Sequence, residues 1–208
     1  MKIGIVLSLS LFTALSLTSC KSEKKADAVE GTKIEVKKSA AFSLKNATNE
    51  INFTAYKTTG KVPVGGQFKK VDIITEGEGN TIKEAINNVE FSIPVSSIFT
   101  KDSSRDFKVK KFFFGVMDHT KLLSGKLVIE NDSIGYANIK MNGITEKVSF
   151  LYTIDANTFS MKATMDITKW NAVEALNSLN LACKDLHKGA DGVSKTWSEV
   201  ALNIKSTF

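Results

Sequence analysis

Apolar and polar positions alternate in twos along most of this chain. Ile51, Phe53 and Ala55 alternate with Asn52, Thr54 and Tyr56, and Val89, Phe91 and Ile93 with Glu90, Ser92 and Pro94. Ile134 and Tyr136, then Ile139 and Met141, recur between small or polar residues. Val148, Phe150 and Tyr152 oppose Ser149, Leu151 and Thr153; Phe159, Met161, Ala163 and Met165 continue the pattern, and Val200, Leu202 and Ile204 end it. Successive side chains on a strand point to opposite faces, so this period predicts half-buried antiparallel strands. Gly65-Gly66, Asn131-Asp132, Asn142-Gly143 and Asp155-Ala156-Asn157 read as turns between them. Counted from Lys33, about eight or nine strands result.

Two segments break the alternation. Thr81 to Asn88 predicts a short helix. Lys169 to Lys188 carries Val173, Leu176, Leu179, Cys183 and Leu186 at spacings of three or four, which predicts one amphipathic helix stopped by Gly189. The fold class expected is therefore all-β: an antiparallel, eight-stranded barrel with one amphipathic helix before the last strand. Closure into a barrel removes exposed strand edges. A barrel of about eight strands is either filled by side chains or holds one small ligand.

The N-terminus follows a different pattern. Lys2 precedes an apolar run from Ile3 to Leu17, short of the roughly 20 residues that span a bilayer. The run ends in Leu17-Thr18-Ser19-Cys20, which resembles the lipobox of bacterial lipoproteins. That resemblance implies a signal peptide over 1–19 and a lipid on Cys20. It further implies anchoring to the cell envelope, facing the periplasm, with the outer membrane expected. An ordinary secretory signal that ends beside a cysteine is the competing reading. The stretch after Cys20, KSEKKADAVEGT, is polar and lacks aromatics, so 20–32 reads as a flexible tether and 33–208 as one domain.

Composition narrows the chemistry. With Cys20 acylated, Cys183 has no partner for a disulfide, and between Leu181 and Leu186 it reads as a small buried apolar residue. The formal net charge of +6 comes from lysines scattered singly or in short pairs, which make a solvated face and give no reason to invoke nucleic acid. His119 and His187 stand far apart without metal-ligand spacing; they read as a loop residue and a helix-end residue. Asp102, Asp106 and Asp118 cluster in one expected loop region, interleaved with Lys101, Arg105, Lys108 and Lys110-Lys111, charges that oppose a hard cation. No nucleophile, phosphate-loop or zinc motif appears, so no enzyme is expected. Phenylalanine is abundant, with 13 against three tyrosines and two tryptophans. Phe112-Phe113-Phe114 reads either as core packing under a loop over the barrel end, or as an aromatic lining or lipid-facing lip for an apolar ligand.

Several motifs then occur in a familiar order. Val64-Gly65-Gly66-Gln67-Phe68 comes first, then Ser97-Ile98 with Lys101-Asp102-Ser103-Ser104-Arg105-Asp106 ahead of Phe112-Phe113. Met141-Asn142-Gly143-Ile144-Thr145-Glu146-Lys147-Val148 follows. The set resembles the YceI-like family over roughly 32–208. Asn142 departs from it, standing where histidine is common, and the helix at 169–188 is longer than the family's usual insertion. The resemblance implies a lipocalin-like barrel whose elongated apolar cavity holds a polyisoprenoid or quinone-like lipid as ligand, with no other cofactor. A side-chain-filled barrel acting as a structural or interaction lipoprotein is the alternative, and a homodimer is left open. Parity and apolar character nominate Phe53, Phe68, Phe91, Phe99, Phe113, Phe150 and Tyr152 as the lining. Arg105 either anchors the strand crossing beside Asp106 or meets the ligand's head group.

Overall fold

The computed structural model describes residues 39–208. The expected signal peptide, Cys20 and the tether lie outside the described residues. In chain order the described residues form β1 (Phe42–Ser43), β2 (Thr48–Lys57), β3 (Val62–Phe68), β4 (Asp72–Ile73), β5 (Glu78–Gly79) and α1 (Ile82–Ile86). Next come β6 (Glu90–Pro94), β7 (Ile98–Phe99), α2 (Ser103–Phe112), β8 (Leu122–Ile129) and β9 (Ile134–Met141). The chain continues with β10 (Ile144–Asp155), β11 (Thr158–Asp166), α3 (Val173–Ala182) and β12 (Thr196–Thr207).

Ten strands make one antiparallel sheet in the order β4-β6-β8-β9-β10-β11-β12-β2-β3-β7, while β1 pairs with β5 apart from it. Of the ten, β4 and β7 are only two residues long; β2, β6, β9, β10, β11 and β12 are the segments where alternation predicts strands, and β3 and β8 are added by the structure. Strands β6 and β7 are consecutive in the chain yet lie towards opposite ends of the order. The segment 90–99 therefore pairs with β8 on one side and with β3 on the other, and curls the sheet into a lipocalin-like barrel. Pro94 sits where the segment bends, and a tight turn over Val95–Ser97 redirects it. There Val95 N–H donates to the Lys121 carbonyl at 3.0 Å and Lys69 N–H to the Ser97 carbonyl at 3.0 Å, so the bend stays paired on both sides.

Local chemistry explains most boundaries. Asn142 and Gly143 both adopt positive φ (51° and 73°), as a tight hairpin between β9 and β10 requires. Thr81 caps α1, and Glu84 reaches back to the cap backbone. Gly65-Gly66 differs from expectation: it lies within β3, opposite Thr54 and Phe53, and makes no turn. The segment 103–112, expected as a loop, is helix α2, capped by the Asp102 side chain on Arg105 N–H at 3.0 Å. The single helix expected over 169–188 is shorter. A tight turn over Ile167–Trp170 precedes it, Asn171 takes positive φ (53°), and α3 ends before Cys183.

The interior divides into two clusters. One gathers Phe68, Ile93, Ile98, Phe114, Met141, Val148 and Trp170 beneath α2 and α3. Trp170 is fully buried and its indole N–H donates to the Ile139 carbonyl at 2.9 Å. The other gathers Leu44, Ile82, Ile86, Phe150, Tyr152, Phe159 and Met161 around α1.

Candidate functional site

The inward faces of the strands do not meet. They enclose a cavity of about 230 Å³ lined by Ile51, Phe53 and Ala55 of β2, Phe91 and Ile93 of β6, Ile139 of β9, and Met161, Ala163 and Met165 of β11. Asn49, Thr196 and Ser206 are the polar residues among the lining, and Ser206 Oγ–H donates to the Asn49 side chain at 2.6 Å. Such a surface is suited to an apolar guest.

Strand register keeps the bore open. Phe53 lies opposite Gly66, Phe91 opposite Gly125 and Phe150 opposite Gly135. Each ring lies over its glycine: a Cβ on Gly125 would come within 2.7 Å of Phe91 Cζ, and one on Gly66 would overlap the Phe53 ring. A ring that lies along the wall over a missing side chain leaves the lumen free. From Phe53 the wall continues through Phe68 (ring centroids 5.6 Å apart) and Phe114 (6.4 Å) to Phe113 (4.9 Å).

The floor is filled. Phe159, 1 % exposed, closes the cavity with Leu44 and Ile86, and Tyr152 and Phe150 pack against its ring at 5.2 and 6.5 Å. At the other end the cavity abuts a second recess of about 400 Å³, with Phe53, Ala55, Val109, Leu179 and Thr196 lining both. This vestibule sets charged and polar side chains into a largely apolar wall. Lys57 continues the inward series 51–53–55 of β2, Arg105 and Lys108 share a face of α2 with Val109, and Cys183 and His187 extend the face of α3 that carries Leu176 and Leu179. Asp102 is its carboxylate.

His187 Nδ1 lies 2.7 Å from Thr196 Oγ1, whose hydroxyl donates to Asn180 Oδ1 at 2.9 Å. With its one hydrogen directed to Asn180, Thr196 must accept from the ring, so neutral His187 carries its proton on Nδ1 and a lone pair on Nε2. Burial, then the charges of Lys57, Arg105 and Lys108, hold this imidazole below its ordinary pKa. Burial likewise pushes the Cys183 thiol up, outweighing those same cations. A catalytic reading needs a histidine at the barrel mouth, and His187 is there. Its partner is a hydroxyl and no carboxylate, and the neighbouring thiol is shifted away from the thiolate a nucleophile requires.

The nominated residues separate into three groups. Phe53, Phe68, Phe91 and Phe113 line the cavity, and Arg105 lines the vestibule. Phe150 and Tyr152 point inward as their parity requires but pack behind Phe159 in the floor. Phe99 is corrected: it is 38 % exposed under the Lys69 ammonium, because the turn at 95–97 interrupts the alternation and turns Ile98 inward instead. Arg105 donates to the Thr100 carbonyl at 3.3 Å and meets Asp102 at 3.5 Å. The loop anchor is Asp106, whose Oδ1 accepts the Thr100 N–H at 2.8 Å and hydroxyl at 2.7 Å. Asn142 ties the hairpin to the helix region, its amide donating to the Trp170 carbonyl at 2.8 Å. Lys57 was not singled out by sequence, and Lys108, His187 and Gly66 were read there as a charge opposing a cation, a helix-end residue and a turn residue. For Lys57 a signal existed, since a lysine at the end of an inward series marks where that face meets water.

The sequence profile of the YceI-like domain matches residues 42–208. The chain belongs to the YceI-like family. A polyisoprenoid binding domain from Saccharophagus degradans implicated in plant cell wall breakdown has a similar fold, with a TM-score of 0.54 at 10 % identity over 78 % of this chain and 95 % of that one. BcnA of Burkholderia cenocepacia superposes with a TM-score of 0.53 at 13 % identity, over 77 % of this chain and 96 % of its own. At such identities the likeness establishes the fold. No curated protein matches the chain.

Proposed function

We propose that this YceI-like domain is a non-enzymatic binder or carrier of an apolar lipid tail, polyisoprenoid or quinone-like, held by a membrane anchor at Cys20. The observation that carries the reading is the unfilled apolar cavity of about 230 Å³ beside a vestibule that carries charged side chains. A dry cavity of about 150 Å³ takes up benzene, so this one has room for a branched tail end. Each buried methylene contributes about 0.8 kcal/mol, so two isoprene units supply useful affinity without polar recognition. The S. degradans domain, described as polyisoprenoid binding, shares this fold and supports the choice of tail. Anchoring would raise the barrel's effective concentration at a lipid source. Fluorescence of 1-N-phenylnaphthylamine bound to the protein should rise, and farnesol should displace it. If the probe stays dim and farnesol binds nowhere, the cavity is not a tail site. A Cys20→Ala variant should lose the acyl chain from its mass and leave the membrane fraction; unchanged mass would remove the anchor from the proposal.

A further inference from the structure

Helices α2 and α3 cover the open end of the barrel, and their outer sides are unlike the rest of the surface. Val109 and Phe113 share the cavity wall with Leu176, while Arg105 and Lys108 share the vestibule with Cys183 and His187. The two helices therefore lie side by side in opposite directions, each with an apolar face on the cavity. Phe107 stands two residues from Val109, on the far side of α2, and is 56 % exposed. Leu181 stands two residues from both Leu179 and Cys183, on the far side of α3, and is 73 % exposed. Leu186, just beyond α3, is 58 % exposed. Side chains left this bare add little to folding, so their place outside needs another reason. The groups around them are cations. Lys110 and Lys111 share the outward side of α2 with Phe107, and Lys184 follows Leu181 by three residues. Among the described residues none of these lysines has an ion-pair partner. The Lys111 ammonium lies 5.4 Å from the centre of the Phe107 ring and 5.2 Å from that of Phe112. The nearby acids are engaged or distant. Asp106 is buried on Thr100, Asp102 caps α2, and Asp185 pairs with Lys188 at 2.7 Å. Glu174 precedes Leu181 by seven residues, about 10 Å along the helix axis.

We propose that the outward side of α2 and the end of α3 dock the domain on an anionic lipid surface. Phe107, Leu181 and Leu186 enter the acyl boundary, and Lys110, Lys111 and Lys184 meet the head groups. Charge decides for this partner. Long lysine side chains can lie along an apolar surface and keep their ammoniums at the level of anionic head groups, so rings and charges are satisfied together. A protein groove that took the rings would desolvate the ammoniums as well, and would have to set a carboxylate against each. Among the described residues no helix is long and apolar enough to cross a membrane, so the contact these helices make is peripheral. A few inserted side chains hold a domain only reversibly. An acyl chain at Cys20 would then supply residence at the bilayer, and this face orientation, with the open end of the barrel towards the lipid. The docking face lies on the outer surface and stands whether or not a tail fills the cavity.

Tryptophan quenching reads this orientation on the full chain, mixed with vesicles of phosphatidylcholine and phosphatidylglycerol whose acyl chains are brominated. Phe107→Trp puts a reporter on the docking face. Leu151→Trp puts one on the outer wall near the floor, at a side chain 65 % exposed. Both positions are open to solvent, so neither change should disturb the fold. With the wild-type signal of Trp170 and Trp197 subtracted, the emission added by Phe107→Trp should fall by about half or more, because the face sinks roughly 5–10 Å into the bilayer surface. The emission added by Leu151→Trp should barely change. Replacing phosphatidylglycerol, raising the salt to molar levels, or combining Lys110→Gln with Lys111→Gln should each cut the quenching at position 107 at least about twofold. Equal quenching of the two reporters overturns the orientation. Quenching at 107 that survives in phosphatidylcholine alone and in the lysine variant overturns the part given to charge. No quenching at 107 overturns the docking face and assigns its exposed side chains to a protein partner. Farnesol binding enters none of these readings, so the tail site and the docking face can fail separately.

Discussion

The two ends of this barrel are built from the same material and behave differently. Phenylalanines on inward strand positions line both, and at both a ring lies over a cross-strand glycine, Phe53 on Gly66 near the mouth and Phe150 on Gly135 near the floor. At the floor the rings of Phe150, Tyr152 and Phe159 meet one another, and Leu44, Ile82 and Ile86 fill the space that remains. Towards the mouth, Phe53, Phe91 and Phe113 face a lumen with no side chain across it, under helices that bring Arg105, Lys108 and, just beyond α3, His187. Aromatic content alone therefore does not make a cavity. What decides is the element that covers each end: the apolar face of the short helix α1 and Leu44 seal one, and helices with basic edges leave the other open.

The largest effect should separate the two ends by stability. Phe159→Ala removes a ring that is packed on every side and should cost about 3–5 kcal/mol in urea unfolding. Phe91→Ala, whose ring already borders empty space, should cost less than ~2 kcal/mol. Equal costs would mean that the lumen is packed in solution and would erase the contrast.

The next effect separates stability from binding. Gly66→Ala places a methyl where the Phe53 ring now lies, and the ring's free end must swing into the lumen. Farnesol affinity should drop by roughly tenfold, the value of about two excluded methylenes, while unfolding stability moves by less than ~1 kcal/mol. A large loss of stability with unchanged binding would show that the glycine serves the sheet and not the bore.

The smallest effect belongs to the mouth. The folded state holds His187 below its ordinary pKa of 6.5, so the unfolded chain takes up the proton first. Stability should be level above that pH and decline as pH falls through 6.5 towards the lower folded value. His187→Gln should flatten that decline in Tm measured between pH 5 and 8. A decline untouched by His187→Gln would assign it to other groups.

Much of this was legible in the sequence because a strand's period reports directly which residues face inward. Strands β2, β6, β9, β10, β11 and β12 and the inward sets of β2, β10 and β11 follow from alternation, and α1 falls in the segment expected to be helical. What needed the structure depends on partners. Phe150 and Phe53 have the same parity and the same kind of glycine opposite them, and only the elements above and below make one floor and the other wall. The inward place of Gly65-Gly66 in β3 required its register with β2, whereas the dipeptide alone suggests a turn. Helix α2 escaped notice because its basic residues interrupt any apolar stripe, although Asp102 followed by Ser103-Ser104 was a cap signal. Phe99 was misplaced by one turn at Pro94–Ser97, which resets parity for the residues beyond it.

The central claim is that the open end holds a lipid tail, and the most direct measurement is mass spectrometry of an organic extract of the protein purified from membranes without added lipid. A co-purifying chain of isoprenoid or similar apolar character should be present at close to one per protein and be reduced in Gly66→Ala. A lipid-free extract, with farnesol failing to enter the purified protein afterwards, would contradict it.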